Sequence, residues 1–182
     1  EPVFLYLGRI SQEKALEQVL EAFKRVFEKY PNSRFVIVGG GPTEKKLDAY
    51  IEELGIQQGV IRMGHVSHDR LISENIPRLG DIFVTASKSE NQPVSILEAM
   101  AFGLPVIGPR AKGIPELISQ DDNGIIFEPD DVDGLTNAME RLYAEPETLN
   151  RMSESSRRTV EKHSISHVGS RLEEIYKTVS SE

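Results

Sequence analysis

Along the chain, short apolar runs alternate with stretches in which apolar residues return every three or four positions. Val3–Leu7, Arg34–Val38, residues 60–63, 82–85 and 105–107, and Gly124–Phe127 are short and rich in Val, Ile and Phe, the pattern of strands buried on both faces. Between the first two, Leu16, Val19, Leu20, Phe23, Val26 and Phe27 repeat at helical spacing, and Pro31-Asn32 closes that helix. Leu47, Tyr50, Ile51 and Leu54 mark a second helix ended by Gly55. Leu71, Ile72 and Ile76 predict a short third helix before Pro77, residues 94–102 a fourth, and Leu117-Ile118 ends a brief fifth. After Pro129 the pattern is helical only. One stripe runs through Leu135, Ala138, Met139, Leu142 and Tyr143, and another through Val168, Leu172, Ile175 and Tyr176.

Strands separated by helices need crossover connections, which are right-handed almost without exception. The economical architecture is α/β: a Rossmann-like, doubly wound parallel sheet with helices on both faces, followed by a C-terminal helical tail over about residues 131–182. Residues 1–182 read as one domain, without repeats or a long linker. Sheets of this kind bind ligands beyond the carboxyl ends of their strands, where the strand order reverses. The loops after the first four strands are therefore where chemistry is expected.

Composition narrows the partners. With 38% hydrophobic and 27% charged residues the chain reads as an ordinary globular domain. Its formal net charge of -8 disfavours sequence-independent binding to nucleic acid, while leaving room for a local basic pocket. The absence of cysteine removes disulfide and thiolate chemistry. No apolar run approaches the roughly 20 residues of a membrane helix, and the opening Glu1-Pro2 does not resemble a signal peptide. A strand beginning at the first residues suggests a domain cut from a longer protein.

Four loops carry the candidate chemistry. After the first strand, Gly8-Arg9-Ile10-Ser11-Gln12-Glu13-Lys14 sets a sharp turn and two cations at the start of a helix, a combination suited to a diphosphate. After the second, Gly39-Gly40-Gly41-Pro42 falls short of a G-x-G-x-x-G fingerprint, because position 44 is Glu44; a tight strand-to-helix turn with Pro42 near the first helical position accounts for it. After the third, Gly64-His65-Val66-Ser67 could read a nucleobase edge through main-chain groups, or be a plain turn. After the fourth comes the richest segment, residues 89–108. Pro93 suits the first helical position, which puts Glu90 just before the helix and Glu98 more than one turn inside it. Two carboxylates so placed can address different parts of one elongated ligand, and carboxylates accept hydrogen bonds from vicinal hydroxyls. Backbone N–H groups of residues 92–95 would face that ligand. A capping box, Ser95-x-x-Glu98, is the structural alternative, and the helix start at Pro93 argues against it. His163 and His167 stand four residues apart, as two metal ligands on one helix face would, but no third ligand is near and the stretch reads as a polar tail. His65 reads as an exposed turn residue.

The stretch Glu90-x7-Glu98, followed by Ala99-Met100-Ala101-x-Gly103-x-Pro105-Val106-Ile107, resembles the signature of family 4 retaining glycosyltransferases of the GT-B fold. Gly8-Arg9-Ile10-x3-Lys14 is similar to that family's phosphate loop, and Gly113-Ile114-Pro115-Glu116-Leu117 to the segment that follows the signature. Asn123-Gly124-x2-Phe127 fits as well, so the resemblance covers nearly the whole chain. It implies that the chain is the donor-binding half of an enzyme moving a hexosyl unit from a nucleotide diphosphate sugar to a hydroxyl acceptor. Gly8, Arg9 and Lys14 would hold the diphosphate, Glu90 the transferred sugar, Glu98 the ribose hydroxyls and main chain near Val66 the base. Main-chain groups at Gln92, Pro93, Val94 and Ser95 would contact sugar and phosphates. Arg9, Lys14 and Glu90 would carry the catalytic role, with no nucleophile assigned.

Two departures from the family stand out: Ala15 stands where Gly commonly follows the loop lysine, and Asn91-Gln92-Pro93 stands where Gly-Phe-Pro is frequent. The resemblance further implies a separate N-terminal acceptor domain absent from this chain, and no metal or other cofactor, the nucleotide sugar being a substrate. It implies a cytoplasmic enzyme of polysaccharide or glycolipid biosynthesis, with peripheral association at the inner membrane face left open. A sugar-nucleotide epimerase of similar fold, and a non-catalytic nucleotide-sugar-binding module, remain alternatives. An NAD oxidoreductase lacks its fingerprint.

Overall fold

A computed structural model describes residues 1–91 and 93–163. Six strands, β1 (Val3–Leu7), β2 (Arg34–Val38), β3 (Val60–Gly64), β4 (Ile82–Val84), β5 (Val106–Pro109) and β6 (Gly124–Phe127), form one parallel sheet in the order β3-β2-β1-β4-β5-β6. Among the described residues seven α-helices connect or follow them: α1 (Leu16–Lys29), α2 (Glu44–Leu54), α3 (His68–Ser73), α4 (Val94–Ala101), α5 (Ile114–Leu117), α6 (Val132–Ala144) and α7 (Pro146–Glu161). None is long and apolar enough, among the described residues, to cross a membrane.

Side-chain alternation along each strand divides the core in two. Phe4, Tyr6, Phe35 and Ile37 point to one face, where α1, α2 and α6 cover them; Leu5, Leu7, Val36 and Val38 point to the other, beneath α3, α4 and α5. Every residue from Phe4 to Leu7 is buried, which is why β1 carries no charged position. On the first face Phe23 of α1 meets Phe4 edge-on with ring centroids 6.1 Å apart and Phe35 at 5.5 Å. Helix α7 sends Met152 into that core and Val160 toward the opposite one, so it crosses the end of the sheet.

The predicted strands are present, with ends adjusted by backbone chemistry. β5 runs from 106 to 109 rather than 105 to 107: Pro105 has no N–H for the ladder, although its carbonyl still accepts from Phe83. Thr85 lies past the end of β4 yet still donates to the Ile107 carbonyl. The third helix is two pieces. Asn75 turns left-handed (φ 53°) between α3 and a 3-10 turn, Ile76–Leu79, because Pro77 cannot continue an α-helix. Pro42 and Pro93 also lie outside their helices: Thr43 caps α2, and Pro93 itself caps α4 with an extended backbone (φ -75°, ψ 96°). The stripe at Val168, Leu172, Ile175 and Tyr176 lies outside the described residues.

The Asn123 turn is a joint. Its fully buried side chain accepts from the Ser119 N–H at 2.8 Å and donates to the Leu117 carbonyl at 2.9 Å and the Thr159 hydroxyl at 3.0 Å, while the main-chain carbonyl of Asn123 accepts from Ser156 at 3.2 Å. One amide thus ties the end of α5 and the start of β6 to α7. Asn123→Ala strands a part-buried N–H and a buried carbonyl, and should destabilise the domain by about 3 kcal/mol. Thr159→Val removes a single partner and should cost about 1 kcal/mol. Urea unfolding midpoints of the two variants check the ranking.

Candidate functional site

The strand order reverses beside β1, whose neighbours β2 and β4 lead away in opposite directions. The loops leaving β1 and β4 consequently open a crevice at the carboxyl edge of the sheet. Across it the Lys14 ammonium forms an ion pair with Oε1 of Glu90, joining residues 76 apart in sequence. Both side chains are about one-fifth exposed, so the pair is shielded but reachable from solvent. Ser87 donates to the same Glu90 oxygen at 3.3 Å. Arg9 lies exposed on the adjoining loop and, among the described residues, makes no ion pair or side-chain hydrogen bond.

The β1 loop is held from beneath and from the side. Tyr6, buried at the end of β1, donates to the Arg9 carbonyl at 2.9 Å. Burial, with lesser effects from Glu90 and Glu13, pushes its phenol well above the ordinary range, so it remains a neutral donor. Ser11 donates to Glu13 at 2.6 Å and draws that carboxyl below its usual range. The glycine run after β2 packs against this loop. A Cβ on Gly39 would lie 1.8 Å from the Gly8 carbonyl oxygen, and one on Gly41 2.1 Å from that of Ile10. Glu44 accepts from the Gly41 N–H at 2.6 Å, so the residue that interrupts the dinucleotide fingerprint anchors the turn. Ala15, after Lys14, is left-handed (φ 49°, ψ 41°), a conformation that glycine adopts without strain.

On the β4 side the Glu90 loop is fixed by α5. The Gly113 N–H donates to the Glu90 carbonyl at 3.0 Å, and a Cβ on Gly113 would sit 1.9 Å from the Asn91 carbonyl oxygen. Lys88 binds both oxygens of Asp130 at 2.8 Å, and Gln18 donates to the same carboxylate at 2.5 Å, linking this loop to α1 and to the turn after β6. Pro93 caps α4 rather than starting it and has no N–H; Val94 and Ser95 supply the first-turn amides, which lack intrahelical acceptors. Gln92 lies outside the described residues. The helix begins at Val94, so Ser95 is not a cap and the Ser95–Glu98 capping box does not form.

Glu98 is the fifth residue of α4, with its side chain 18% exposed and Oε1 3.3 Å from Nδ1 of His68. Burial raises its carboxyl, and His68 opposes part of that shift. Val66 is half-buried in the loop between β3 and α3 and packs on the second core, while His65 is exposed. The structure therefore groups Gly8, Arg9, Lys14 and Glu90 at the crevice, and sets Glu98 beside His68 at the start of α3. His163 is exposed, and His167 lies outside the described residues. Tyr6, Ser87 and His68 join the site without belonging to any motif singled out above, while Gly113, the first residue of the motif at 113–117, takes a role that motif did not indicate. Of the first three only Tyr6, a polar group inside an apolar strand two residues before Gly8, left a readable trace.

A family model described as glycosyl transferases group 1 matches residues 1–159. The alpha-D-kanosaminyltransferase of Streptomyces kanamyceticus is 32% identical over 179 residues, covering 98% of this chain and 46% of that protein. The chain spans less than half the length of the curated relatives it matches. Among solved structures, the C-terminal domain of a glycosyl transferase group 1 family protein (LpcC) from Francisella tularensis superimposes with a TM-score of 0.81 at 26% identity, over 90% of this chain and 87% of that one. Anabaena HepE in complex with UDP gives a TM-score of 0.83 at 21% identity, over 99% of this chain and 49% of that one, a likeness of fold.

Glu98 yields a pH-dependent expectation. A carboxyl raised on folding costs stability once ionised; the cost is absent below the unfolded value of about 4.3 and complete above the folded one. Glu98→Gln removes the charge at nearly constant shape. Its melting temperature should exceed that of the unaltered domain at pH 7, with the gain shrinking as pH falls toward 4, and thermal melts across that window measure it.

Proposed function

The chain belongs to the group 1 glycosyl transferases, and on that footing we propose that it is the donor-binding half of a retaining enzyme that moves a hexosyl unit from a nucleotide diphosphate sugar to a hydroxyl acceptor. The observation that carries this reading is the Lys14–Glu90 pair spanning the crevice, with Arg9 on the same loop. A protein of net charge -8 gains little from cations gathered at one strand-end loop unless an anion visits them. Two cations and the first-turn amides of α4, at Val94 and Ser95, suit a diphosphate.

In this mechanism the diphosphate takes over the Lys14 ammonium and engages Arg9. Both cations stabilise the negative charge that grows as the glycosidic bond to the leaving phosphate lengthens. Glu90, released from Lys14, accepts hydrogen bonds from hydroxyls of the transferred sugar, with Ser87 steadying its carboxylate. Glu98 accepts from the ribose hydroxyls, and main chain near Val66 meets the base. No side chain of this domain is assigned as a nucleophile. The acceptor site belongs to a separate N-terminal domain, and the working compartment is the cytoplasm, with contact at the inner membrane face in the whole enzyme. The donor needs no metal in this scheme, because Arg9 and Lys14 supply the countercharge. The printed names of the relatives, a kanosaminyltransferase and a sulfoquinovosyl transferase among them, support sugar transfer. HepE was solved with UDP and with UDP-glucose, which makes UDP the first ligand to try.

Calorimetric titration of the domain with UDP, GDP and ADP tests the reading. One of them should bind, and Arg9→Ala or Lys14→Ala should each weaken binding by about tenfold or more, the worth of one charge-assisted contact. In the full-length enzyme the same variants should lower kcat while folding normally, whereas the isolated domain should bind without appreciable transfer. Absence of binding to all three nucleotides would defeat the proposal.

A further inference from the structure

The crevice accounts for Arg9, Lys14 and Glu90 but leaves one contact unused. β3 ends at Gly64, the chain runs through His65 and Val66 to Ser67, and His68 is the first residue of α3. Its Nδ1 lies 3.3 Å from Oε1 of Glu98, on a helix thirty residues further along the chain. Among the described residues this is the only polar side-chain contact of Glu98. The two partners differ in setting: the His68 side chain is 70% exposed, whereas that of Glu98 is 18% exposed.

That asymmetry matters. An exposed contact adds little to folding stability, because water competes for both groups. A glutamate, however, has several rotatable bonds, and fixing them before a ligand arrives removes an entropic cost from the binding step. A carboxylate with one polar side-chain neighbour also keeps lone pairs for a ligand, as a receptor for two vicinal hydroxyls requires.

We propose that His68 is a positioning residue that holds the Glu98 carboxylate for the ribose hydroxyls, and so ties the loop at Val66 to ribose recognition. This rests on the donor-site reading above. A nucleotide whose base orders the β3–α3 loop would place His68, and through it Glu98, so base and ribose are recognised as one unit. Nδ1 is the imidazole nitrogen that faces the Glu98 carboxylate.

The test uses UDP, GDP and ADP, each beside its 2′,3′-dideoxy counterpart, titrated calorimetrically against the unaltered domain and the variants Glu98→Ala, His68→Ala and His68→Asn. The unaltered domain should bind one ribonucleotide about tenfold more tightly than its dideoxy form. Glu98→Ala should abolish that preference. His68→Ala should reduce it by threefold or more with little change in dideoxy affinity, and His68→Asn, which keeps a donor where Nδ1 stands, should restore it. A merely structural role would weaken both ligands alike, and that result overturns the proposal. So does an unchanged preference in His68→Ala, with the donor site left standing. If the unaltered domain shows no preference, or Glu98→Ala leaves it intact, the ribose role of Glu98 fails and that of His68 with it. Binding of none of the nucleotides removes the donor site itself.

Discussion

A parallel sheet buried on both faces leaves its crossover helices only two places to go, and the hand of each crossover selects between them. From β1 the chain winds outward through β2 to β3 with α1 and α2 on one face. It then returns to β4 on the other side of β1 and winds outward again, with α4 and α5 on the opposite face. Because successive connections diverge at β1 and β4, no helix covers the gap between the loops that leave them. Lys14 and Glu90 meet there because the order of strands brings their loops together. Nothing local in either segment encodes the pairing.

The crevice is then narrowed by backbone packed on backbone. The glycine run after β2 lies against the Gly8–Ile10 carbonyls, and Gly113 lies against the carbonyl of Asn91. Contacts this close between main chains fix loops more firmly than surface side chains could, since they leave no rotamers to fluctuate. Ion pairs add the remaining restraint where exposure makes them individually weak, as with Lys88 and Asp130. Lys14–Glu90 differs in being largely shielded from solvent and in having Ser87 as a third member. A shielded pair keeps its geometry without a ligand, yet stays accessible enough for an anion to replace one partner.

Much of this architecture was legible because period and composition are local properties. β1, β2 and β6 begin and end where their Val, Ile and Phe runs do, and Gly55 closes α2 in the left-handed conformation expected of such a stop. Proline was read less well. Pro93 and Pro42 lie just outside the helices they were expected to open, and Pro77 lies inside a 3-10 turn, because a fixed φ is compatible with all three settings. The contacts of His68, Ser87 and Gly113 were not legible at all. Each depends on a partner brought in by the tertiary fold, and no spacing rule along the chain records which carboxylate a histidine will reach.

The two departures from the family pattern illustrate the same division between local and tertiary causes. Ala15 occupies a left-handed position, so its methyl group carries strain that glycine would not, and the departure has a local backbone cost. Asn91 is different. It does not adopt a left-handed backbone, and its structural task of receiving Gly113 falls to its carbonyl, which every residue has. Glycine is required at 113, whereas the backbone at 91 does not call for one. What Asn91 alters is the chemistry offered to a ligand by an exposed side chain at the rim of the crevice. In the proposed donor site, position 91 would bear on the sugar and the Lys14–Glu90 pair on the diphosphate.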